Sequence, residues 1–378
     1  MDMTEESSGQ KAERYSAIKT RLIVADFIVS FLFLVGFQCF LSKRTALFSA
    51  GLTDNFYLQC LMFSGLLLFL SYVVGLPVHF VSSFIVEKKF CLSTQDLRGW
   101  AVDEMKSLAI SFVFFVFCVE AFYLILRVFP GHWWLVASFG WIFFTVILTK
   151  IFPVLLIPVF FKYSSLSDGA LKEKVLVMAK KAKIDLLDVC QIDFSRKTKK
   201  ANAALTGLGG TRRVILTDTL LGEFSPGEIE AVVAHEFGHF KLRHIWQLLF
   251  FSGVFTILGF FVLSKVIGWV VSISGASSVS DLYLFPIMML LMFISGIMLL
   301  PVQNYFSRIL ERDADLFALE LTNNPENFIA MMRKLGEKNL ADMSPSKIKK
   351  IFLFNHPPIF ERINMAKKFT PKDPNQTT

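Results

Sequence analysis

Long apolar stretches recur along most of the chain, separated by polar segments. A transmembrane helix needs about 20 consecutive, mainly apolar residues, and six runs meet that requirement. The pattern therefore predicts a polytopic membrane protein with six transmembrane helices. The six runs are Leu22–Leu41, Leu58–Val86, Leu108–Phe129, Trp133–Phe161, Ile245–Ile273 and Leu282–Val302.

The polar segment between the fourth and fifth runs has its own pattern of elements. Its first part has a helical period, and later stretches are rich in β-branched residues between turn residues. The predicted fold class is mainly α: a helical membrane barrel or bundle that carries a small α+β cytoplasmic domain. The predicted elements are a helix at Gly169–Ile184, strands at Asp188–Phe194, Asn202–Thr206 and Arg212–Asp218, and a helix that starts at Ser225 and continues without interruption into the fifth run.

These elements divide the chain into six parts. The sequence predicts a mobile cytoplasmic N-terminus at 1–21, four transmembrane helices at 22–161, the α+β insert at 162–244, two transmembrane helices at 245–302, a cytoplasmic helical part at 303–368 and a polar tail at 369–378.

Composition and charge support a membrane location. Of the 378 residues, 54% are hydrophobic, whereas soluble domains contain about 45–50% apolar residues. The net charge is +8, and most basic residues lie in 87–107, 162–244 and 303–378. The positive-inside rule places such segments in the cytoplasm. We therefore expect an integral membrane protein with these segments in the cytoplasm and with the lipid bilayer as a partner. No basic stretch is interleaved with aromatic residues, so nucleic-acid binding is not expected.

A short motif within the polar segment suggests metal chemistry. His235 and His239 are four residues apart on a predicted helix, so both side chains project from one face and can bind one metal ion. Glu236 lies between them, placed to reach a water molecule at the metal rather than the metal itself. Ser225 and Glu228 form a capping-box pattern that starts this helix. Chance matches to H-E-x-x-H occur, but the helical context favours a metal site over two surface histidines.

Two histidines leave a catalytic zinc site incomplete, because such a site usually has three protein ligands and one open position. No other histidine has the spacing of a third ligand; His244, five residues after His239, lies off the ligand face. A carboxylate is therefore expected, and Glu311 is the best candidate. Asp315, four residues later on the same face, is predicted to orient a ligand histidine or to handle a proton.

His356, near the end of the chain, is another candidate for the site. A lone histidine is more often structural than catalytic. A hydrolase of this kind, however, needs a hydrogen-bond donor for the developing oxyanion. His356 is one of two cytoplasmic histidines without an assigned role, so we predict that it stabilises the oxyanion.

Several stretches in matching order resemble one family, the integral-membrane zinc metalloendopeptidases that include CAAX prenyl protease 1. The similarity extends from about Tyr15 to Lys368, and the six crossings and the short connection between the last two are expected of a bacterial-type member. The matching stretches are Phe84–Phe90, Ile157–Tyr163, Asn202-Ala203 with Thr206-Gly207, Arg213–Leu220, H-E-x-x-H at 235–239, S-R-x-x-E-x-x-A-D at 307–315 and H-P-P-x-x-x-R at 356–362.

The resemblance implies a function and a set of roles. It implies a zinc endopeptidase with one Zn²⁺ per chain that cleaves peptide or protein substrates, with or without a lipid modification, at the cytoplasmic membrane face. The membrane is expected to be that of a bacterial cell, or of the endoplasmic reticulum in a eukaryote. The membrane helices are expected to enclose a chamber. The implied roles are zinc ligands His235, His239 and Glu311, general base Glu236, supporting acid Asp315, substrate or oxyanion contacts His356 and Arg362, and a strand at Asn202 and Ala203 that pairs with an extended peptide.

Three alternatives remain at this level. The nearest is a zinc protease of the same superfamily that removes damaged membrane proteins. The second is a transporter or channel with an incidental metal motif. The third, a catalytically silent scaffold, is disfavoured by the complete set His235, Glu236, His239 and Glu311.

Overall fold

The computed structural model of the protein describes residues 7–207 and 212–372. Residues 1–6 of the predicted N-terminal part and 373–378 of the predicted tail lie outside the described residues. The helices are α1 Ser8–Gly36, α2 Ser42–Leu52, α3 Phe56–Phe80, α4 Val86–Lys89, α5 Leu97–Val128, α6 Trp133–Leu155, α7 Ile157–Phe160, α8 Gly169–Lys181, α9 Asp218–Glu223, α10 Pro226–Lys241, α11 His244–Ser274, α12 Phe285–Thr322, α13 Pro325–Lys338, α14 Lys347–Leu353 and α15 Ile359–Lys368.

The long apolar helices close into a ring. α1 packs against α3, α3 against α5, α5 against α6, α6 against α11, α11 against α12, and α12 against α1. At one end of the ring, Ser42 Oγ donates a hydrogen bond to the Tyr283 carbonyl (2.6 Å). The Ile287 amide donates to the side-chain oxygen of Gln38 (3.2 Å). These bonds link the first helical segment to the beginning of the last one, so the first and last predicted crossings lie side by side.

Within the described residues, five helical segments are long and apolar enough to cross a membrane. They cover five of the six predicted runs, of which Leu108–Phe129 extends one residue beyond its segment. The other run, Trp133–Phe161, falls on α6, whose Trp133–Thr149 part is a shorter apolar helix. Five crossings therefore have support from length and composition, and the sixth stays a prediction. The five segments are Ser8–Leu52, Phe56–Lys89, Leu97–Val128, His244–Ser274 and Leu282–Thr322.

The N-terminal part differs from the expectation of a mobile segment at 1–21. Residues 8–21 belong to α1, which begins with a capping box between Ser7 and Gln10. Tyr15 is buried, and its ring packs edge-on against Phe90 (centroids 5.2 Å apart). The polar composition of this stretch hid the helix, because its few buried side chains meet partners that are distant in sequence.

A four-stranded sheet forms the centre of the polar domain, with strands β1 Tyr163–Ser165, β2 Asp188–Ile192, β3 Ala203–Thr206 and β4 Arg213–Thr217. The order is β1-β2-β4-β3, with β2 and β4 parallel and the outer strands antiparallel to their neighbours. The three predicted strands are confirmed, and β1 is additional. β3 is an edge strand, so one of its sides has no strand partner in the described chain.

The helix that starts at Ser225 does not continue into the membrane, so the prediction of one unbroken helix is wrong. α10 ends at Lys241, and Arg243 adopts a left-handed conformation (φ 59°, ψ 35°) before α11 starts at His244. A left-handed residue that is not glycine costs about 1–2 kcal/mol and changes the direction of the chain. α10 can therefore pack on the sheet while α11 follows the ring.

Candidate active site

α10 presents the three motif residues from a fixed starting point. Its capping box is present as predicted: the Ser225 hydroxyl accepts from the Glu228 amide (3.4 Å), and the Glu228 carboxylate accepts from the Ser225 amide (2.7 Å). The opposite face of the helix is fully buried at Phe237 and Val233. Because cap and core together fix the rotation of α10, His235 and His239 face the same side.

A close crossing of α10 and α12 brings the predicted third ligand to the histidines. At the crossing, a Cβ atom added to Gly238 would lie 2.9 Å from Ala314 Cα and 3.0 Å from the Ala314 carbonyl oxygen. Only glycine leaves room for this approach. Glu311, one turn before Ala314 on α12, is thereby placed against both imidazole rings.

The three donor groups form a compact cluster. His235 Nε2 lies 3.1 Å from His239 Nε2 and 3.3 Å from Glu311 Oε2. His239 Nε2 lies 3.3 Å from Glu311 Oε1. With metal–ligand bonds of about 2.0–2.1 Å, the corners of a tetrahedral site lie about 3.3–3.4 Å apart. Glu311 Oε2 is also buried without a hydrogen-bond donor, which suits an oxygen that binds a cation. The donor set therefore fits a divalent metal such as zinc.

Asp315 contacts His235 at Nδ1, the ring nitrogen that does not face the cluster. Asp315 is fully buried, and its Oδ1 lies 2.9 Å from His235 Nδ1. A proton on Nδ1 donated to this carboxylate leaves the Nε2 lone pair free for a metal. The role predicted for Asp315, to orient a ligand histidine, is consistent with this contact.

Arg362 is part of the same buried network. Its Nε donates to Asp315 Oδ2 (2.7 Å), and its Nη2 contacts Asp315 Oδ1. The same Nη2 lies 3.4 Å from His235 Nδ1. Two nitrogens of the guanidinium therefore bind Asp315. The expected contact of Arg362 with substrate or oxyanion stays a prediction.

His244 was excluded as a ligand by spacing, and the structure assigns it a different contact. Its Nδ1 lies 3.0 Å from Nδ1 of His239, and the side chain is buried. The turn at Arg243, between α10 and α11, brings the His244 ring back towards His239. The sequence signal was the short spacing to His239, but an unbroken helix would have turned the ring away.

The charges around the site favour a cation at the cluster. Burial alone would lower the pKa of His235, but the neighbouring carboxylates of Asp315 and Glu311 raise it to about 9. The carboxylates thus attract positive charge to this point. Burial raises the pKa of Glu236 above its ordinary value, against the opposing charges of His235 and His239. A raised pKa suits a carboxylate that must accept a proton near neutral pH.

A cavity of about 430 Å³ opens beside the cluster. Its lining includes every predicted catalytic or substrate-binding residue except Asp315, namely Asn202, Ala203, Glu236, His356 and Arg362, together with the ligand His235. His356 Nε2 lies 3.3 Å from Glu311 Oε1, and its Nδ1 lies 2.8 Å from the Asn355 side-chain oxygen. The folded chain therefore gathers groups from five separate segments around one space.

The cavity also contains a contact that the sequence did not indicate. The side chain of Asn339 accepts from the Ala201 amide (3.1 Å) and donates to the Ala201 carbonyl (3.3 Å). These two bonds attach the residue before Asn202 to the end of α13. No local pattern marks Asn339, because its partner is distant in the chain.

Family models match nearly the whole chain. Residues 165–370 match peptidase family M48, and residues 1–162 match a model described as CAAX prenyl protease N-terminal, five membrane helices. The chain is 30% identical over 362 residues to the uncharacterized metalloprotease YhfN of Bacillus subtilis, an alignment that covers 94% of this chain and 85% of that protein.

Eukaryotic proteins show similar agreement. CAAX prenyl protease 1 of Saccharomyces cerevisiae is 30% identical over 337 residues, covering 84% of this chain and 74% of the yeast protein. The crystal structure of S. mikatae Ste24p superposes with a TM-score of 0.84 at 25% identity, covering 97% of this chain and 91% of that one.

Proposed function

The chain belongs to peptidase family M48 and is an integral-membrane metalloprotease, and from this premise we propose that it is a zinc endopeptidase that hydrolyses extended peptides at the cytoplasmic membrane face. The observation that carries the proposal is the cluster of His235, His239 and Glu311 donor atoms, 3.1–3.3 Å apart, beside a cavity lined by Glu236. These three side chains would hold one zinc ion per chain.

Bound zinc supplies Lewis acidity that makes water a nucleophile near neutral pH. Glu236 accepts the proton of the attacking water and returns it to the leaving amine. His356 donates a hydrogen bond to the developing oxyanion. Asp315 and Arg362 keep His235 in the orientation that presents Nε2.

The substrate is proposed to lie along the edge of β3. Asn202 and Ala203 line the cavity at the start of this edge strand. An edge strand offers main-chain donors and acceptors to an extended peptide, and such pairing gives affinity with little sequence preference. Selection among substrates then depends on access to the cavity.

The cytoplasmic orientation and the nature of the substrate are further parts of the proposal. Orientation rests on the basic residues in the connections on the side of the site. The yeast relative is named for prenylated CAAX proteins, so a lipid group on the substrate is one option for this chain. Assays with the same peptide, with and without a farnesylated cysteine, separate lipid-dependent from general endopeptidase activity.

The decisive experiment uses the full chain purified in detergent and a fluorogenic peptide library. Wild type is expected to bind one zinc per chain, to lose hydrolysis on chelation and to regain it with zinc. Glu236→Gln is expected to keep the zinc and lose turnover. Glu230→Gln, on the same helix but paired with Lys174 (3.3 Å), is the matched control and should stay active.

Two results would contradict the proposal. Turnover retained by Glu236→Gln would exclude Glu236 as the general base. A wild type that neither binds zinc nor hydrolyses peptides would favour the transporter alternative. With the expected results, peptides that Glu236→Gln traps can be identified by mass spectrometry, and they define the physiological substrate class.

A further inference from the structure

Two lysines of the basic stretch Arg196–Lys200 form ion pairs with carboxylates on membrane helices. Lys197 Nζ lies 2.6 Å from Asp103 on α5. Lys200 Nζ lies 2.9 Å from Glu87 on α4 and 3.0 Å from the Tyr15 hydroxyl on α1. Three helical segments therefore converge on this stretch.

Main-chain bonds fasten the same stretch to the linker between α4 and α5. Ser93 and Thr198 form an antiparallel bridge. The Thr94 amide donates to the Lys197 carbonyl (3.1 Å), and the Lys199 amide donates to the Leu92 carbonyl (2.8 Å). The linker and the basic stretch thus form a short two-stranded joint between the membrane helices and the polar domain.

Glu87 is the centre of this joint. Its carboxylate accepts from the Tyr15 hydroxyl (2.6 Å) and from Lys19 (3.2 Å) in addition to Lys200. Its main-chain carbonyl accepts from the amides of Leu92 (2.9 Å) and Ser93 (3.2 Å). The Glu87 side chain is only 12% exposed, so its ion pairs are less screened than those at a free surface.

The joint ends directly at the proposed substrate strand. Lys200 is two residues before Asn202, and its carbonyl accepts from the Thr219 hydroxyl (2.7 Å). Ala201 is held by Asn339. The start of β3 is therefore fixed on one side by the polar domain and on the other by the Glu87 carboxylate of the membrane domain.

We propose that Glu87 and Lys200 are positioning residues that let the membrane helices set the place of the substrate edge strand relative to the metal cluster. The pair touches neither the metal ligands nor the cavity. It acts through the main chain of residues 200–203. This inference rests on the proposed function, because it assumes that peptides pair with β3.

The test compares three variants in steady-state peptide hydrolysis. Lys200→Met removes the ion pair but leaves Glu87 with Tyr15 and Lys19. We expect KM to rise about fivefold, the effect of losing one partly buried ion pair, while kcat changes less than twofold and zinc stays at one per chain. Lys200→Arg retains the charge and should restore KM. Lys199→Met, an exposed neighbour, is the matched control and should match wild type.

A second readout does not depend on turnover. Hydrogen–deuterium exchange of peptides covering 201–206 should become faster in Lys200→Met, with no change in peptides covering α10. An unchanged KM in Lys200→Met, or equal losses of kcat and zinc, would overturn the positioning role. A wild type that hydrolyses no peptide would overturn the proposed function, and the exchange result would then decide the positioning role alone.

Discussion

The Nδ1 atoms of His239 and His244 lie 3.0 Å apart, although these residues belong to different helices. For His239 to bind a metal through Nε2, its Nδ1 carries the proton, and His244 Nδ1 is then the acceptor. His244 therefore has the same relation to His239 that Asp315 has to His235. Each of the two predicted ligand histidines thus has a buried partner at its Nδ1.

Replacing His244 with phenylalanine should weaken metal binding without removing a ligand. Loss of a group that orients a ligand typically costs about 10–100-fold in metal affinity, and we expect a loss within that range. Competition with a chromophoric chelator measures it. His79→Phe, at a histidine paired with Glu104 away from the cluster, is the control. Equal zinc affinity in wild type and His244→Phe would contradict the prediction.

Replacing Glu311 with alanine should abolish stoichiometric zinc. The side chain supplies the oxygen ligand, and two histidines alone do not complete the usual catalytic set of three. Metal content of the purified protein, by inductively coupled plasma mass spectrometry, should fall from one to below about 0.1 per chain. Glu320→Ala, at an exposed position on the same helix, should keep its zinc. Zinc retained by Glu311→Ala would require a different ligand set.

Replacing Gly238 with alanine should separate α10 from α12. The new methyl group meets Ala314 main-chain atoms at 2.9 and 3.0 Å, and backbone cannot move aside as a flexible side chain does. Overpacking of this kind costs about 1–3 kcal/mol, so both the melting temperature and the zinc affinity should fall. Gly222→Ala, where nothing lies within 4 Å of the added carbon, should leave both unchanged or slightly improved.

The single variant Asp315→Asn should be less stable than the double variant that combines Asp315→Asn with Arg362→Met. The single change leaves the buried guanidinium without its charged partner, which costs about 3–5 kcal/mol. The double change removes the unpaired charge. Thermal unfolding of the two variants tests the order. Both should show reduced zinc affinity, because His235 loses its Asp315 support in each. A double variant less stable than Asp315→Asn would contradict the prediction.

The orientation can be tested with native Cys91, an exposed residue of the linker between α4 and α5. With the other four cysteines replaced by serine, a membrane-impermeant thiol reagent should label Cys91 only after the cells are opened. In a variant without native cysteines, Lys43→Cys, which lies between the first two predicted runs and so on the opposite side, should be labelled in intact cells. The reverse pattern would place the site on the outer face.

The sequence predicted those elements that depend on residues close to one another in the chain. The apolar runs predicted the long helices because each run must be buried in lipid or protein over its whole length. Ser225 and Glu228 predicted the start of α10, since a capping box satisfies free amides within four residues. The spacing of His235 and His239 followed from helical geometry, and Glu311 was selected because the pair needs a third ligand.

The tertiary structure alone decided the features that depend on residues far apart in sequence. Arg243 adopts a left-handed conformation although it is not a glycine, so no local signal predicts it. The conformation lets α10 and α11 follow different directions. The closure of α1 on α12, the approach of Gly238 to Ala314 and the pairing of Glu87 with Lys200 each depend on packing between distant segments. The sequence therefore determined which groups are available for the chemistry. The packing of the helices decided which of them meet, because the free energy of each long-range contact depends on the fold that brings both partners together.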